Sequence, residues 1–498
     1  MLFSSMTFVF VFLPIVLLLY LVTKKELHNP ILLTASIIFY AWGEPRYLAI
    51  MLLTILVNYV GAILIGKFPL PSVEGAVVAE PVAKLTNAGE GTKRGKIRVG
   101  AKIILIFTIL ANLGFLIYFK YFNFIILNCN SIFHSHINAL DIVMPIGISF
   151  YTFQALSYVI DVYRGECKVQ RNIYKLALYI CLFPQLIAGP IVKYHDIEEQ
   201  IDSREVNFDK VSYGVKRFII GLSKKMLIAN TLGAIVDKIF VQDPHNFSHL
   251  VAWIGSFAYT FQLYFDFSGY SDMAIGLGMI FGFRFMENFN YPYISKSITE
   301  FWRRWHISLS TWFKQYVYIS LGGNRSGKLK TFRNLGIVFL LTGIWHGAEW
   351  TFIVWGIWHG LFIILEKGFN IKEFESKVHP IWVNFLMHIY CIFVFSVGWV
   401  IFRSPNMTYA WRYLMNMFGG LRLHSDEFLY SIQYYIDRQE IIIFVVAILC
   451  SMPLFKNILN IENKIAKAFI NIWLLFLFFL STITIASSTY NPFIYFRF

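Results

Sequence analysis

The stretch from Ser297 to Gly360, SITEFWRRWHISLSTWFKQYVYISLGGNRSGKLKTFRNLGIVFLLTGIWHGAEWTFIVWGIWHG, decides the fold, because basic, aromatic and histidine side chains crowd there into an otherwise apolar chain. At about 100° per residue, Ile298, Phe301, Trp302, Trp305, Leu309, Trp312, Phe313 and Tyr316 fall on one face. Glu300, Arg303, Arg304, Thr311 and Lys314 fall opposite, the pattern of an amphipathic helix. On that reading His306 sits at the edge of the apolar stripe, beside Trp302 and Phe313. A basic, glycine-rich turn, GGNRSGKLKTFR, then leads into a nearly uncharged run containing Trp345 and His346. With that turn at the membrane surface, a helix rising about 1.5 Å per residue carries His346 roughly 20 Å beyond Arg333, deep in the bilayer.

An intramembrane imidazole is costly without partners, which makes a functional role the default. A neutral imidazole also serves as a packing residue or an interhelical hydrogen bond, and one histidine alone does not separate these readings. Two on adjacent elements, flanked by tryptophans and arginines, favour a site. The pentapeptide GIWHG occurs at Gly343–Gly347 and again at Gly356–Gly360. Small residues beside each histidine let another helix, or a substrate, approach the backbone closely. Composition does not say whether His346 or His359 is the reactive copy.

The 498 residues are 57% hydrophobic and 14% charged, with runs of apolar residues recurring from end to end. That composition predicts an all-α polytopic membrane protein, one multi-pass unit over residues 1–498 with 297–360 as its catalytic core segment. Phe8–Val22 lacks a basic n-region and a cleavage site and reads as the first span. The net charge of +14 resides in short loops and no nucleic-acid motif accompanies it, so the cations are topology signals and no nucleic-acid partner is expected. The five cysteines have no metal spacing, and His134 and His136 lack a nearby carboxylate or cysteine, so no metal is expected.

Lys24 and Lys25 set the N-terminus outside and the cations of residues 67–101 in the cytoplasm, where a Gly/Pro/Ala-rich composition reads as a mobile linker. Pro145, Gly147 and the Pro184–Pro190 region interrupt their spans, as elements lining a cavity do. The polar segment Lys193–Arg217 is too charged to span and is expected on the cytoplasmic surface. Asp266 and Asp272 break an apolar run, and each needs a partner, either to orient a catalytic group or to pair helices.

Three motifs then read together: ENFNYPY at Glu287–Tyr293, SITEFWRRWHISLSTWFKQYVYISLGGNR, and LTGIWHG. They resemble the membrane-bound O-acyltransferase superfamily, and the resemblance covers most of the chain. The opening MLFSSMTFVFVFLPIVLLLY, PIGISFYTFQALSYVIDVYRG, FPQLIAGPI and the ending PFIYFRF are similar to its bacterial alginate O-acetyltransferase branch. The resemblance implies a ring of roughly eleven or more transmembrane and re-entrant helices around a membrane-crossing tunnel, in the bacterial cytoplasmic membrane. It implies His346 as the catalytic histidine and His306 as the second polar residue. It implies no tightly bound cofactor, with acetyl-CoA or another acyl thioester as donor substrate from the cytoplasm. An extracytoplasmic SGNH-type acetyltransferase is the implied partner, with an exported polysaccharide as indirect acceptor.

The residues make chemical sense of this. Imidazole is the side chain best matched to taking a hydroxyl proton near neutral pH. His346 would be that base, and His306 or tryptophan N–H groups would donate to the developing oxyanion. Arg303, Arg304, Trp305, Trp345, Asp266 and Asn288 are the candidate donor-binding or tunnel-lining residues. Arg303 and Arg304, with Arg325 and Lys328, would attract donor phosphates, although positive-inside anchoring explains them equally. Two alternatives stand beside acetyl transfer: D-alanyl transfer in teichoic acid modification, and a transporter or flippase. The WRRWH and GIWHG motifs, and the lack of an internal repeat, weigh against the transporter.

Overall fold

A computed structural model describes residues 1–68, 91–325, 327–371, 379–422, 430–488 and 490–494, the side chains of 91–98 excepted. All regular structure among the described residues is helical. Packing divides the chain into two compact units, a finer organisation than the single unit read from the sequence. The first comprises Met1, Thr7–Asn207 and Phe281–Phe285, and the second Leu2–Met6, Phe208–Ile280 and Met286–Phe498.

The first unit holds α1 (Leu13–Val22), which continues a π-helical segment Phe8–Phe12, then α2 (His28–Gly43), α3 (Leu48–Ile65), α4 (Gly91–Leu116) and α5 (Phe122–Phe133). It goes on through α6 (Ile148–Arg164), α7 (Ile173–Cys181), α8 (Phe183–Leu186) and α9 (Tyr194–Asp202). Buried Asn58 of α3 and Asn112 of α4 exchange amide hydrogen bonds at 2.8 and 3.2 Å, so each satisfies the other inside an apolar contact. Gly147, at φ 76°, supplies the left-handed turn that starts α6 beside Pro145, an interruption legible in the sequence. The linker expectation over 67–101 falls mainly on residues 69–90, outside the described residues. Residues 91–101 instead form the opening turns of α4.

In the second unit, α10 (Phe208–Ser223) runs through a π-helical segment, Lys224–Ala229, into α11 (Asn230–Phe240). There follow α12 (His249–Ile280), α13 (Ile298–Arg304), α14 (Ile307–Phe313), α15 (Lys328–His346), α16 (Trp350–Gly368) and α17 (Ile381–Arg403). The remainder is α18 (Met407–Met417), α19 (Ile432–Tyr435), α20 (Arg438–Cys450) and α21 (Lys464–Ser487). Five helical stretches among the described residues are long and apolar enough to cross a membrane: Pro45–Ile65, Val99–Phe133, Phe208–Phe240, Ile381–Arg403 and Lys464–Ser487.

The third of these corrects the sequence reading, which gave Lys193–Arg217 wholly to the surface, since its last ten residues open this stretch. Arg217, Lys224 and Lys225 disguise the stretch, but each is paired with a neighbouring acid. Arg217 lies 2.6 Å from both Asp272 and Glu287, Lys224 2.7 Å from Asp272, and Lys225 2.6 Å from Asp266. The aspartates of α12 thereby find the partners their setting demands, and those partners pair helices.

Candidate active site

Side chains hold the start of α13. Ile298 and Thr299 donate their N–H groups to the Glu366 carboxylate of α16 at 2.6 and 2.7 Å. Glu300 donates to the Ser297 hydroxyl at 3.0 Å and Phe301 opens the helical ladder on the Ser297 carbonyl at 2.9 Å, so the first three helical N–H groups are satisfied by side chains. The helix then stops. Trp305 is extended and His306 adopts a left-handed conformation, φ 43° and ψ 55°, before α14 begins. The single amphipathic helix expected over this stretch is therefore two short helices, with His306 at the break.

Asparagines from the preceding loop hold the break open. Asn290 N–H donates to the Arg304 carbonyl and Ile307 N–H to the Asn288 carbonyl, both at 2.9 Å. The Asn288 side-chain oxygen accepts from Ser308 N–H at 3.2 Å, Ser308 Oγ at 2.9 Å and His306 Nδ1 at 3.1 Å. Its amide nitrogen donates to Ser271 Oγ at 3.0 Å. All four residues are buried.

His306 meets the Phe267 ring edge-on with centroids 4.6 Å apart, and the Trp345 ring at 6.1 Å. Trp345 in turn meets His346, the last residue of α15, at 5.0 Å. Trp355 and Phe402 enclose the His346 imidazole at 4.9 and 5.2 Å. The two histidines singled out in the sequence are thus brought to either side of one tryptophan. His359 lies on the other contact of Trp355, boxed by Trp302 and Trp355 at 5.2 Å each and Trp399 at 6.0 Å, and among the described residues neither of its ring nitrogens has a hydrogen-bond partner. The repeated pentapeptides themselves form a helix contact: a Cβ at Gly343 would strike the Phe352 carbonyl oxygen and one at Gly356 the Phe339 carbonyl oxygen.

A cavity of about 650 Å³ opens among α13 to α16. Trp302, Leu309, Phe339 and Ile363 give it apolar walls, while Arg303, Lys314, Lys367 and Glu366 bring charge. Thr342 also lines it, one helical turn before His346 on α15. Of the other candidates, Asn288 holds His306 and Trp345 bridges the histidines. Arg304 is committed to Glu300 at 2.8 Å and to the Asn290 carbonyl at 3.1 Å. Trp305 is packed among Phe301, Phe289 and Trp399. Asp266 pairs with Lys225 and accepts from Ile494 N–H at 2.9 Å. Glu366 was missed. Its only signal is one carboxylate in the apolar run after Gly360, which reads as a charge at a helix end.

The family model of the membrane-bound O-acyltransferases matches residues 170–402, a range that includes Asn288, His306, His346 and Glu366. The chain is 39% identical to a probable alginate O-acetylase of Pseudomonas putida (strain KT2440), over 100% of both chains. It belongs to the membrane-bound O-acyltransferase family. A probable alginate O-acetylase of Azotobacter vinelandii is 43% identical, across 84% of this chain and 78% of that protein. A peptidoglycan O-acetyltransferase of Helicobacter pylori (strain 26695) is 34% identical, across 84% of this chain and 80% of that protein. As a membrane-bound O-acyltransferase the chain is an acyltransferase and a multi-pass membrane protein, in keeping with its apolar helices.

Proposed function

We propose that this acyltransferase passes an acetyl group from a cytoplasmic acyl thioester, such as acetyl-CoA, across the bacterial cytoplasmic membrane for O-acetylation of an exported polysaccharide. The N-terminus faces outward, and an extracytoplasmic SGNH-type acetyltransferase carries the acetyl group onward. The observation that carries this reading is His346, enclosed by Trp345, Trp355 and Phe402 at the end of α15 and one tryptophan away from His306. The acetylase names of the relatives support acetyl as the cargo.

In this reading His346 takes the proton of an acceptor hydroxyl as that oxygen bonds to the thioester carbonyl carbon. The tetrahedral oxyanion collapses, the carbon–sulfur bond breaks, and the imidazolium returns its proton to the departing thiolate. Aromatic walls exclude the water that would otherwise hydrolyse the thioester. The cavity beside Thr342, apolar but carrying Arg303, Lys314 and Lys367, suits a phosphate-bearing donor with a short acyl end.

Cells with and without the chain, fed labelled acetate or labelled D-alanine, test the cargo. Acetate label on exported polysaccharide that disappears with the chain is expected. D-alanine label that disappears instead would transfer the reading to teichoic acid modification.

A further inference from the structure

We propose that Asn288 is a positioning residue that fixes the tautomer of His306, making His306 a hydrogen-bond acceptor in the transfer reaction. This rests on the reading of His346 as the base. It replaces the oxyanion-donor role that the sequence suggested for His306.

The orientation of the Asn288 amide follows from backbone chemistry. Ser308 N–H can only donate, and its partner at 3.2 Å is the Asn288 side-chain oxygen. That oxygen cannot donate to His306 Nδ1, 3.1 Å away, and Ser308 Oγ, 3.4 Å from Nδ1, makes its shorter bond to the Asn288 oxygen at 2.9 Å, so the geometry places the hydrogen on Nδ1. A flipped amide would set an N–H₂ group against Ser308 N–H, two donors facing each other, whereas the Ser271 hydroxyl at 3.0 Å suits either orientation. In the neutral ring with Nδ1 protonated, Nε2 holds a lone pair.

Nε2 of His306 is buried and has no hydrogen-bond partner among the described residues. A buried acceptor left unsatisfied destabilises the fold, and so marks a place reserved for a donor. Such a nitrogen cannot donate to an oxyanion. It can accept from a substrate O–H or N–H, holding that group while His346 takes the reacting proton. The left-handed backbone at His306 serves the same end, since the turn brings Nδ1 onto Asn288 and leaves Nε2 available.

The test uses the full chain in detergent or vesicles, with histidine labelled by nitrogen-15 and the His306 signals assigned by their absence from His306→Gln. The wild-type protein should show Nδ1 protonated and Nε2 bare. Asn288→Ala should lose that preference and lower acyl transfer roughly tenfold or more at unchanged abundance, as when the orienting partner of a functional histidine is removed. Asn288→Asp keeps the acceptor oxygen but adds a charge that favours imidazolium. Nε2 then becomes a donor at low pH, and transfer should acquire an acidic limb that recovers as pH rises. Asn288→Asp therefore carries the test if the alanine variant fails to insert. A wild-type signal with Nε2 protonated, or an Asn288→Asp pH profile identical to wild type, would overturn the proposal. Because the tautomer is read without turnover, failure of the acetylation reading leaves this result separately measurable.

Discussion

His306 occupies a backbone region that costs a non-glycine residue about 1–2 kcal/mol, so the break after Trp305 persists only because neighbouring hydrogen bonds over-determine it. Periodicity could not reveal this. The apolar stripe from Ile298 to Tyr316 is genuine, yet the Asn288–Asn290 loop captures the amides that a continuous helix would have used. Sequence patterning reads contacts along one element, and this break is made by another. Glu366 escaped for the same reason, since its partners lie on other helices, Ile298 and Thr299 on α13 and Tyr390 on α17. Glu366→Ala should lower the unfolding midpoint in detergent, because hydrogen bonds to a charged group contribute about 1.5–3 kcal/mol each, and Glu366→Gln should recover part of it. An alanine variant as stable as wild type would show that the α13 N-terminus finds other acceptors.

A second residue-scale expectation concerns His195 of α9, outside the membrane-spanning stretches. Its hydrogen bonds to Asp161 at 2.8 Å and to Asp196 at 3.2 Å raise its pKa from 6.5 to about 9 despite partial burial. A value raised on folding means that the contribution is complete below the unfolded pKa and is lost as pH climbs through the folded one. The unfolding midpoint should therefore fall between about pH 6.5 and pH 9. In His195→Gln that fall should flatten, and an unchanged slope would mean that the imidazolium adds nothing.

At the scale of elements, the two GIWHG pentapeptides matter first as a helix contact. Their glycines let α15 and α16 meet backbone to backbone, a close approach that the small residues implied, and this seats Trp345 and Trp355 on either side of His346. Gly356→Val must push the helices apart, at about 1–3 kcal/mol or more, and should reduce inserted protein and transfer together. Normal levels of both would show the contact to be dispensable. The pairing of α10 with α12 was less legible, because hydropathy treats Lys224 and Lys225 as breakers when their acids lie on another helix. Lys225→Met leaves Asp266 buried without its cation and should cost about 3–5 kcal/mol. Adding Asp266→Asn should restore much of that loss, and no restoration would mean the two residues act independently.

For the molecule as a whole, composition and apolar runs were enough for an all-helical membrane protein, and the motifs were enough for the family. How the chain's ends are held was not legible. In the second unit, Asn491 donates to the Ser4 carbonyl at 2.8 Å, Tyr490 to Asp237 at 2.7 Å, and Lys225 to the Pro492 carbonyl, contacts between residues hundreds of positions apart. The candidate site is instead gathered within one region, where α13 to α17 surround His346 and His306 with tryptophan and phenylalanine. The most direct test is acetylation of the exported polymer in cells carrying His346→Gln, normalised to inserted protein, with His359→Gln as the paired control. An amide matches the polarity of imidazole but cannot take up and return a proton near neutral pH, so His346→Gln should be abundant and inactive while His359→Gln retains transfer. Near-normal acetylation by His346→Gln, or loss confined to His359→Gln, would contradict His346 as the base.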